Sequence, residues 1–337
     1  MSNTTSHSKM RVGILFGGQS AEHDVSVQSA KNVVAALDTD RFEPVLIRIS
    51  KQGVWQFEES GEPVSFTFGG GQKPADVMFP ILHGPMGEDG TVQGLLEMAG
   101  IPYVGPGVLG SAAGMDKDVM KRLLRDAGIA VSDFVVIRAS ERQDIQPADL
   151  IGRFGLPLFV KPASMGSSIG ISKVASEAEL AAALDEAFTY DRKVLVEAAV
   201  AGDEIECAVL GNDHPQASII GRVIPHASFY SYDAKYIDDD GADLEIPAAL
   251  DPAVADRARA LAVRTFQTLE CEGMGRVDMF VTQDGELVVN EINTIPGFTN
   301  ISMYPKLWEA SGLSYSELIT RLIELALERF EARRAVY

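Results

Sequence analysis

The sequence predicts an α/β protein of two or three domains, and three observations carry that reading. Short apolar runs alternate with amphipathic helical patterns from Val12 to about Gly105, the order that builds a mostly parallel sheet covered by helices. A later stretch reads as strand, loop, strand, helix, strand, followed by a hairpin-rich segment, so the α/β start gives way to α+β units. The 337 residues also exceed one ordinary core, because domains typically run ~100 to 200 residues.

RVGILFGG (11–18) reads as a buried strand ending in a glycine turn, followed by an amphipathic helix from about Val25 to Leu37. VLIRIS (45–50) and DVMFPILHG (76–84) continue the alternation, giving a first, Rossmann-like domain over 1–114. Gly105 to Gly110 fits GxGxxG, but Pro106 lacks an N–H and only the weak strand IPYV precedes it, so turn chemistry is the better reading. A second domain, 115–200, opens with the helix DKDVMKRLLRDAG, where Gly128 suits a C-terminal cap. LPLFVKP and ISKV flank a Gly/Ser loop, Ser176 and Glu179 form a capping box for the helix EAELAAALDEAF, and KVLVEA closes the unit. The third domain, 201–337, holds strands EIECAVLG and ASIIGRVIP and then an irregular stretch, 226–246, whose length suggests a lid. A helix opened by Asp251-Pro252, a hairpin, and a helix capped by Ser314 with Glu317 complete the chain.

The formal net charge of −19 sets an overall field that repels nucleic acid. Cys207 and Cys271 are too few for a disulfide framework and fit a reducing compartment. No run approaches the ~20 apolar residues that span a bilayer, and Met1 to Met10 is polar, so a cytoplasmic protein is expected. The five histidines show no zinc spacing.

The most informative segment is GRVDMFVTQDGELVVNEINTIPG, 275–297. A two-residue Asp284-Gly285 turn places Asp278 opposite Glu291 and Arg276 opposite Asn293, all four on one face of the hairpin. Opposed carboxylates repel. A hard divalent cation such as Mg²⁺ would resolve that conflict, whereas a solvated face partly neutralised by Arg276 is the plainer alternative. In FVKPASMGSSIG (159–170), Lys161 ends a strand and Gly166, Ser167, Ser168 and Gly170 supply backbone donors for phosphate oxygens. An ordinary Gly/Ser turn has the same composition. Glu197 and Glu204 bracket a crossover that suits either a nucleotide pocket or solvent. Glu22 stands at a helix start, where any carboxylate is favoured, and His83 and Glu88 sit on a glycine-rich turn.

Taken in order, GGQSAEHDVS, HGPMGEDG, MDK (115–117), KPASMGSSIG, FYSYDAKY, GRVD and NEINTIPGFTNIS resemble the signature blocks of the D-alanine–D-alanine ligase family. The resemblance runs from Val12 to about Gly312. It implies an ATP-grasp fold, with the second and third domains clasping ATP, and ligation of two D-alanines through an acyl phosphate, for peptidoglycan precursor synthesis. By motif position, Lys117, Lys161 and Ser168 would contact phosphates, Glu197 and Val200 the adenine, and Glu204 the ribose. Asp278, Glu291 and Asn293 would hold Mg²⁺ or Mn²⁺. Glu22 would bind the first substrate's ammonium, with His83 beside it. Arg276 and the Gly297 N–H would form the oxyanion hole, and Lys235, Ser302 and Met303 would fix the second substrate. Ser167 and Tyr236 would link the first site to the lid, and Lys235-Tyr236 resembles the dipeptide-forming rather than the lactate-using members. Met165 stands where many relatives carry a charged residue. A homodimer through the first domain is also implied.

Overall fold

The structure is a computed structural model describing residues 8–69, 71–225 and 242–336. The expected lid, including Lys235 and Tyr236, lies outside them apart from its last few residues. Of these, Ala242–Glu245 is a strand rather than irregular chain, because its backbone completes the edge of a sheet beside Arg222 to Pro225.

The described chain forms three sheets. The first is built from β1 (Met10–Gly17), β2 (Phe42–Ile49), β3 (Trp55–Phe57) and β4 (Val77–Ile81), with β1 parallel to both β2 and β4. The short β3 pairs antiparallel at one edge. Helix α1 (His23–Ala36) crosses over from β1 to β2.

The central sheet comprises β5 (Phe134–Arg138), β6 (Leu158–Pro162), β7 (Ser172–Val174) and β8 (Lys193–Ala198), paired antiparallel throughout. The third comprises β9 (Gly202–Gly211), β10 (Gln216–Pro225), β11 (Ala242–Glu245), β12 (Gly273–Thr282) and β13 (Leu287–Asn293), also antiparallel. Expected strands and helices from 11 to 225 therefore form, within a few residues of the sequence reading.

Packing distributes these sheets unevenly. Val12, Ile14 and Phe79 of the first sheet share a core with Ala208 and Leu210 of the third, and with Leu318, Ile319 and Leu322 of the C-terminal helix Tyr315–Arg334. The central sheet has its own core, in which Leu158, Val160 and Val196 meet Leu180 and Leu184 of the helix Glu177–Tyr190. The helix Lys117–Asp126 precedes the central sheet in sequence. Its apolar face nevertheless packs on the third sheet, through Met120 and Leu124 against Cys207 and Val277. At its end Gly128, with φ +70°, and Ile129 donate to Arg125 and Leu124 carbonyls, the glycine-capped end that Gly128 predicted. A cleft lined by the central and third sheets is the result.

Among the described residues no helix is long and apolar enough to cross a membrane.

Candidate active site

The hairpin β12–β13 reaches the expected pairings by a different route. Thr282 donates to the Glu286 carbonyl and Gly285 donates to Thr282, so three residues, Gln283 to Gly285, form the turn. Gly285 takes the left-handed conformation that such a turn requires. That extra residue shifts the register by one, and a bulge at Asn290 shifts it back, because Met279 pairs with Val289 while Asp278 pairs with Glu291. Arg276 pairs with Asn293. On its other side Asp278 faces Glu206 of β9, so three carboxylates stand in a row across adjacent strands.

Arg276 resolves part of that repulsion. Its Nε lies 2.8 Å from Asp278 Oδ1 and 2.8 Å from Glu206 Oε2, and its Nη2 lies 2.7 Å from Asp278 Oδ2. The Asn293 amide donates to Asp278 at 2.9 Å. Glu291 has a cation of its own, Lys117 Nζ at 3.4 Å, which also donates to the Met165 carbonyl at 2.6 Å. Lys117 thereby ties the Gly/Ser loop to the hairpin.

A cavity of ≈ 380 Å³ opens between the central and third sheets, lined by Lys161, Ser168, Glu197, Val200, Glu204, Asn290 and Glu291 among others. Its size is that of a ligand pocket, typically ~300 to 1,000 Å³. Burial alone would raise the Glu197 carboxyl, but Lys161 at 2.9 Å and Lys121 at 3.3 Å hold it down at about 2. Burial pulls Lys161 the other way, and the facing Glu197 outweighs it, so the ammonium sits above its ordinary range. Lys161 also reaches Asn290 Oδ1 at 3.2 Å. The bulge residue thus points into the cavity.

A second cavity of ≈ 90 Å³ adjoins it, lined by Glu22, His83, Glu88, Ser167, Arg276, Asn293, Gly297, Ser302 and Met303 among others. Glu291 and Val223 line both. The Glu22 carboxylate, buried at the start of α1, accepts a hydrogen bond from Ser167 Oγ. Ser167 and Ser168 hold φ +53° and +60°, a conformation uncommon for serine that turns the loop over the cleft. His83 Nδ1 lies 3.1 Å from the Ile295 carbonyl, so that nitrogen carries the proton. Burial lowers the His83 pKa below its ordinary value. Glu88 accepts from Gly84 at 2.7 Å and Ile295 at 3.2 Å, and burial, with repulsion from Glu22, pushes its carboxyl up to about 8. A Cβ on Gly297 would stand 2.8 Å from Ser302 Oγ, which is itself fixed by the Thr299 N–H at 2.9 Å. Only glycine lets these two meet.

The structure therefore brings Glu22, His83, Ser167, Arg276, Gly297, Ser302, Met303, Asp278, Glu291 and Asn293 to one end of the cleft. It gathers Lys161, Ser168, Glu197, Val200 and Glu204 at the other, with Lys117 between. The sequence reading missed Lys121, Ser132, Glu206 and Asn290. Glu206 alternates with Glu204 along a strand and could have been found by that spacing; the other three depend on contacts between separate segments of the chain.

Known proteins resemble this chain along nearly its whole length. A family model described as D-ala D-ala ligase N-terminus matches residues 11–67 and 58–106, and one described as D-ala D-ala ligase C-terminus matches 123–324. D-alanine--D-alanine ligase A of Escherichia coli (strain K12) is 52% identical, covering 97% of this chain and 98% of the relative. The enzyme of that name from Chromobacterium violaceum is 54% identical over 95% and 96%. Among solved structures, the D-alanine-D-alanine ligase from Coxiella burnetii superposes with a TM-score of 0.87 at 40% identity, covering 97% of each chain. A D-Ala:D-Ser ligase from Enterococcus faecalis gives 0.86 at 36% identity over 95% and 100%. Matched along nearly its whole length in sequence and in fold, the chain belongs to the D-alanine–D-alanine ligase family.

Proposed function

We propose that this ATP-grasp chain joins two molecules of D-alanine in an ADP-forming reaction, making the dipeptide for peptidoglycan precursors. The observation that carries the reading is the pair of cavities meeting at Glu291, one of nucleotide size walled in part by the buried Lys161 and one of amino-acid size. In this reading the central unit, 115–200, and the third, 201–337, hold ATP, and the first, 1–114, completes the amino-acid site. Glu197 and Val200 face the adenine and Glu204 the ribose, while Lys117, Lys161 and the Ser168 loop take the phosphates.

Carboxylates are poor electrophiles, so the first D-alanine must be activated. Its carboxylate oxygen attacks the γ-phosphoryl group, ADP departs, and an acyl phosphate remains, with Lys117 and Lys161 absorbing charge. Glu22 holds the ammonium of this first substrate, with His83 beside it. The second amine then attacks the acyl carbon, phosphate leaves, and the oxyanion formed on the way meets donors already in place, Arg276 and the Gly297 N–H. Ser302 and Met303 border the second substrate, and Lys235 and Tyr236 are assigned to closing the site over it. Excluding water matters because acyl phosphates hydrolyse readily.

The side chains fit a divalent metal in kind. Asp278, Glu291 and an Asn293 amide oxygen are hard donors of the type Mg²⁺ or Mn²⁺ takes, and opposed carboxylates otherwise repel. Such an ion supplies charge neutralisation at phosphoryl oxygens. The buried thiols of Cys207 and Cys271, unpaired, suit a reducing cytoplasm.

A D-Ala:D-Ser ligase with the same fold makes D-serine the natural competing second substrate. Phosphate release and product analysis with D-alanine alone, and with D-serine or D-lactate added, test the reading. D-alanyl-D-alanine should dominate. Predominant mixed product, or release that does not require D-alanine, would overturn it.

A further inference from the structure

Lys121 has no place in the reaction as drawn, yet it is a fully buried lysine set behind the larger cavity. Its Nζ lies 3.3 Å from Glu197 Oε1 and donates to Ser132 Oγ at 2.9 Å, and Ser132 donates in turn to Glu197 Oε2 at 3.1 Å. Lys161 approaches the same carboxylate from the cavity side, 2.9 Å from Oε2. One carboxylate, 2% exposed, therefore has two lysines, of which only Lys161 lines the cavity. Two further carboxylates act on Lys161: Glu291, which has Lys117 as a partner, and Glu204, which lines the same cavity.

These two lysines cannot have the same task. When Lys161 turns to an anion in the cavity, Glu197 loses its cavity-side cation. A buried carboxylate left without a partner is strongly destabilising, which opposes what the anion gains. Lys121 holds Glu197 from outside the cavity, where an occupant does not reach it.

We infer that Lys121 is a positioning residue for nucleotide binding: it is the standing counterion of Glu197 that leaves Lys161 available to a phosphate group. The inference rests on the nucleotide reading of the larger cavity. It places on the helix Lys117–Asp126 a second lysine, one turn beyond Lys117, that serves the phosphates without touching them.

The test measures binding of ATP and of adenosine to the full chain by calorimetry, and takes the ratio of the two affinities. That ratio isolates the phosphate contribution from any change at the base. Lys121→Met should lower it on the order of ten- to hundredfold, the worth of a hydrogen bond to a charged group. Lys121→Met/Glu197→Gln should restore it, since position 197 then carries no charge for Lys161 to satisfy and Lys161 can turn to the phosphate again. A role in packing alone predicts no recovery. The double variant removes the buried carboxylate together with its standing counterion, so no unpaired charge is left at position 197 and it remains informative if the single one does not fold. A ratio unchanged in Lys121→Met, or lowered in the double variant, overturns the inference. Failure of the unaltered protein to bind ATP would instead remove the nucleotide reading beneath it.

Discussion

Glu88 and Glu197 are both buried carboxyls, and their surroundings drive them in opposite directions. No cation among the described residues pairs with Glu88, so burial and the neighbouring Glu22 raise it to about 8. Glu197 has two lysines and falls to about 2. The consequences for stability differ in sign. An acid raised in the folded state adds stability that is complete below its ordinary value of 4.5 and is lost as pH climbs to about 8. An acid lowered in the folded state adds stability above 4.5 and loses it as pH falls towards 2. Glu88→Gln removes only the first effect. The unfolding free energy of the unaltered protein minus that of the variant should therefore drop by a few kcal/mol between about pH 5 and about pH 8.5. Urea denaturation at both pH values measures it, and a constant difference would show that Glu88 does not titrate as described. Either way the Gly84 and Ile295 N–H groups make Glu88 a clamp between the turn after β4 and the bend after β13 that leads to Gly297.

At the scale of elements, two helix starts with the same sequence signal behave differently. Ser314 accepts from the Glu317 N–H while Glu317 accepts from the Ser314 N–H, a complete capping box on the helix Tyr315–Arg334. Ser176 instead donates to the Glu179 carboxylate, which is taken up with the Ala175 N–H, and caps no backbone group. Ser314→Ala should cost ~1 kcal/mol, and Ser176→Ala under about 0.5 kcal/mol, because only the first strands a helical donor. Chemical denaturation resolves the pair. Equal losses would mean that the serine type alone decides. The hairpin gives a similar lesson. Asp284-Gly285 marks the turn and pairs Asp278 with Glu291, but one turn residue too few was expected there and no bulge at Asn290. The two offsets cancel, and Asn290 is turned towards Lys161 by the difference.

Across the whole molecule, the first and third sheets share one core while the central sheet keeps its own. The larger cavity is lined from both the central and third sheets. A ligand bound there stabilises only the state in which both are folded and apposed. A non-hydrolysable ATP analogue at a hundred times its Kd should add about 2.7 kcal/mol, raising Tm by several degrees. Differential scanning calorimetry with and without the analogue checks this. An unshifted profile would mean that the two sheets are not bridged.

Much of this was legible in the sequence because it depends on neighbours along the chain. Hydrophobic period gave the strands and helices, turn residues gave the hairpin, and side-chain alternation put Arg276, Asp278, Glu291 and Asn293 on one face. The signature blocks added the family. What the sequence could not decide rests on contacts between segments far apart in the chain. That the helix Lys117–Asp126 packs on the third sheet, and that Glu88 grips Ile295, are choices of packing with no local signal. So is the meeting of Lys121 and Lys161 at Glu197, since burial, not residue type, is what makes one carboxylate need two lysines.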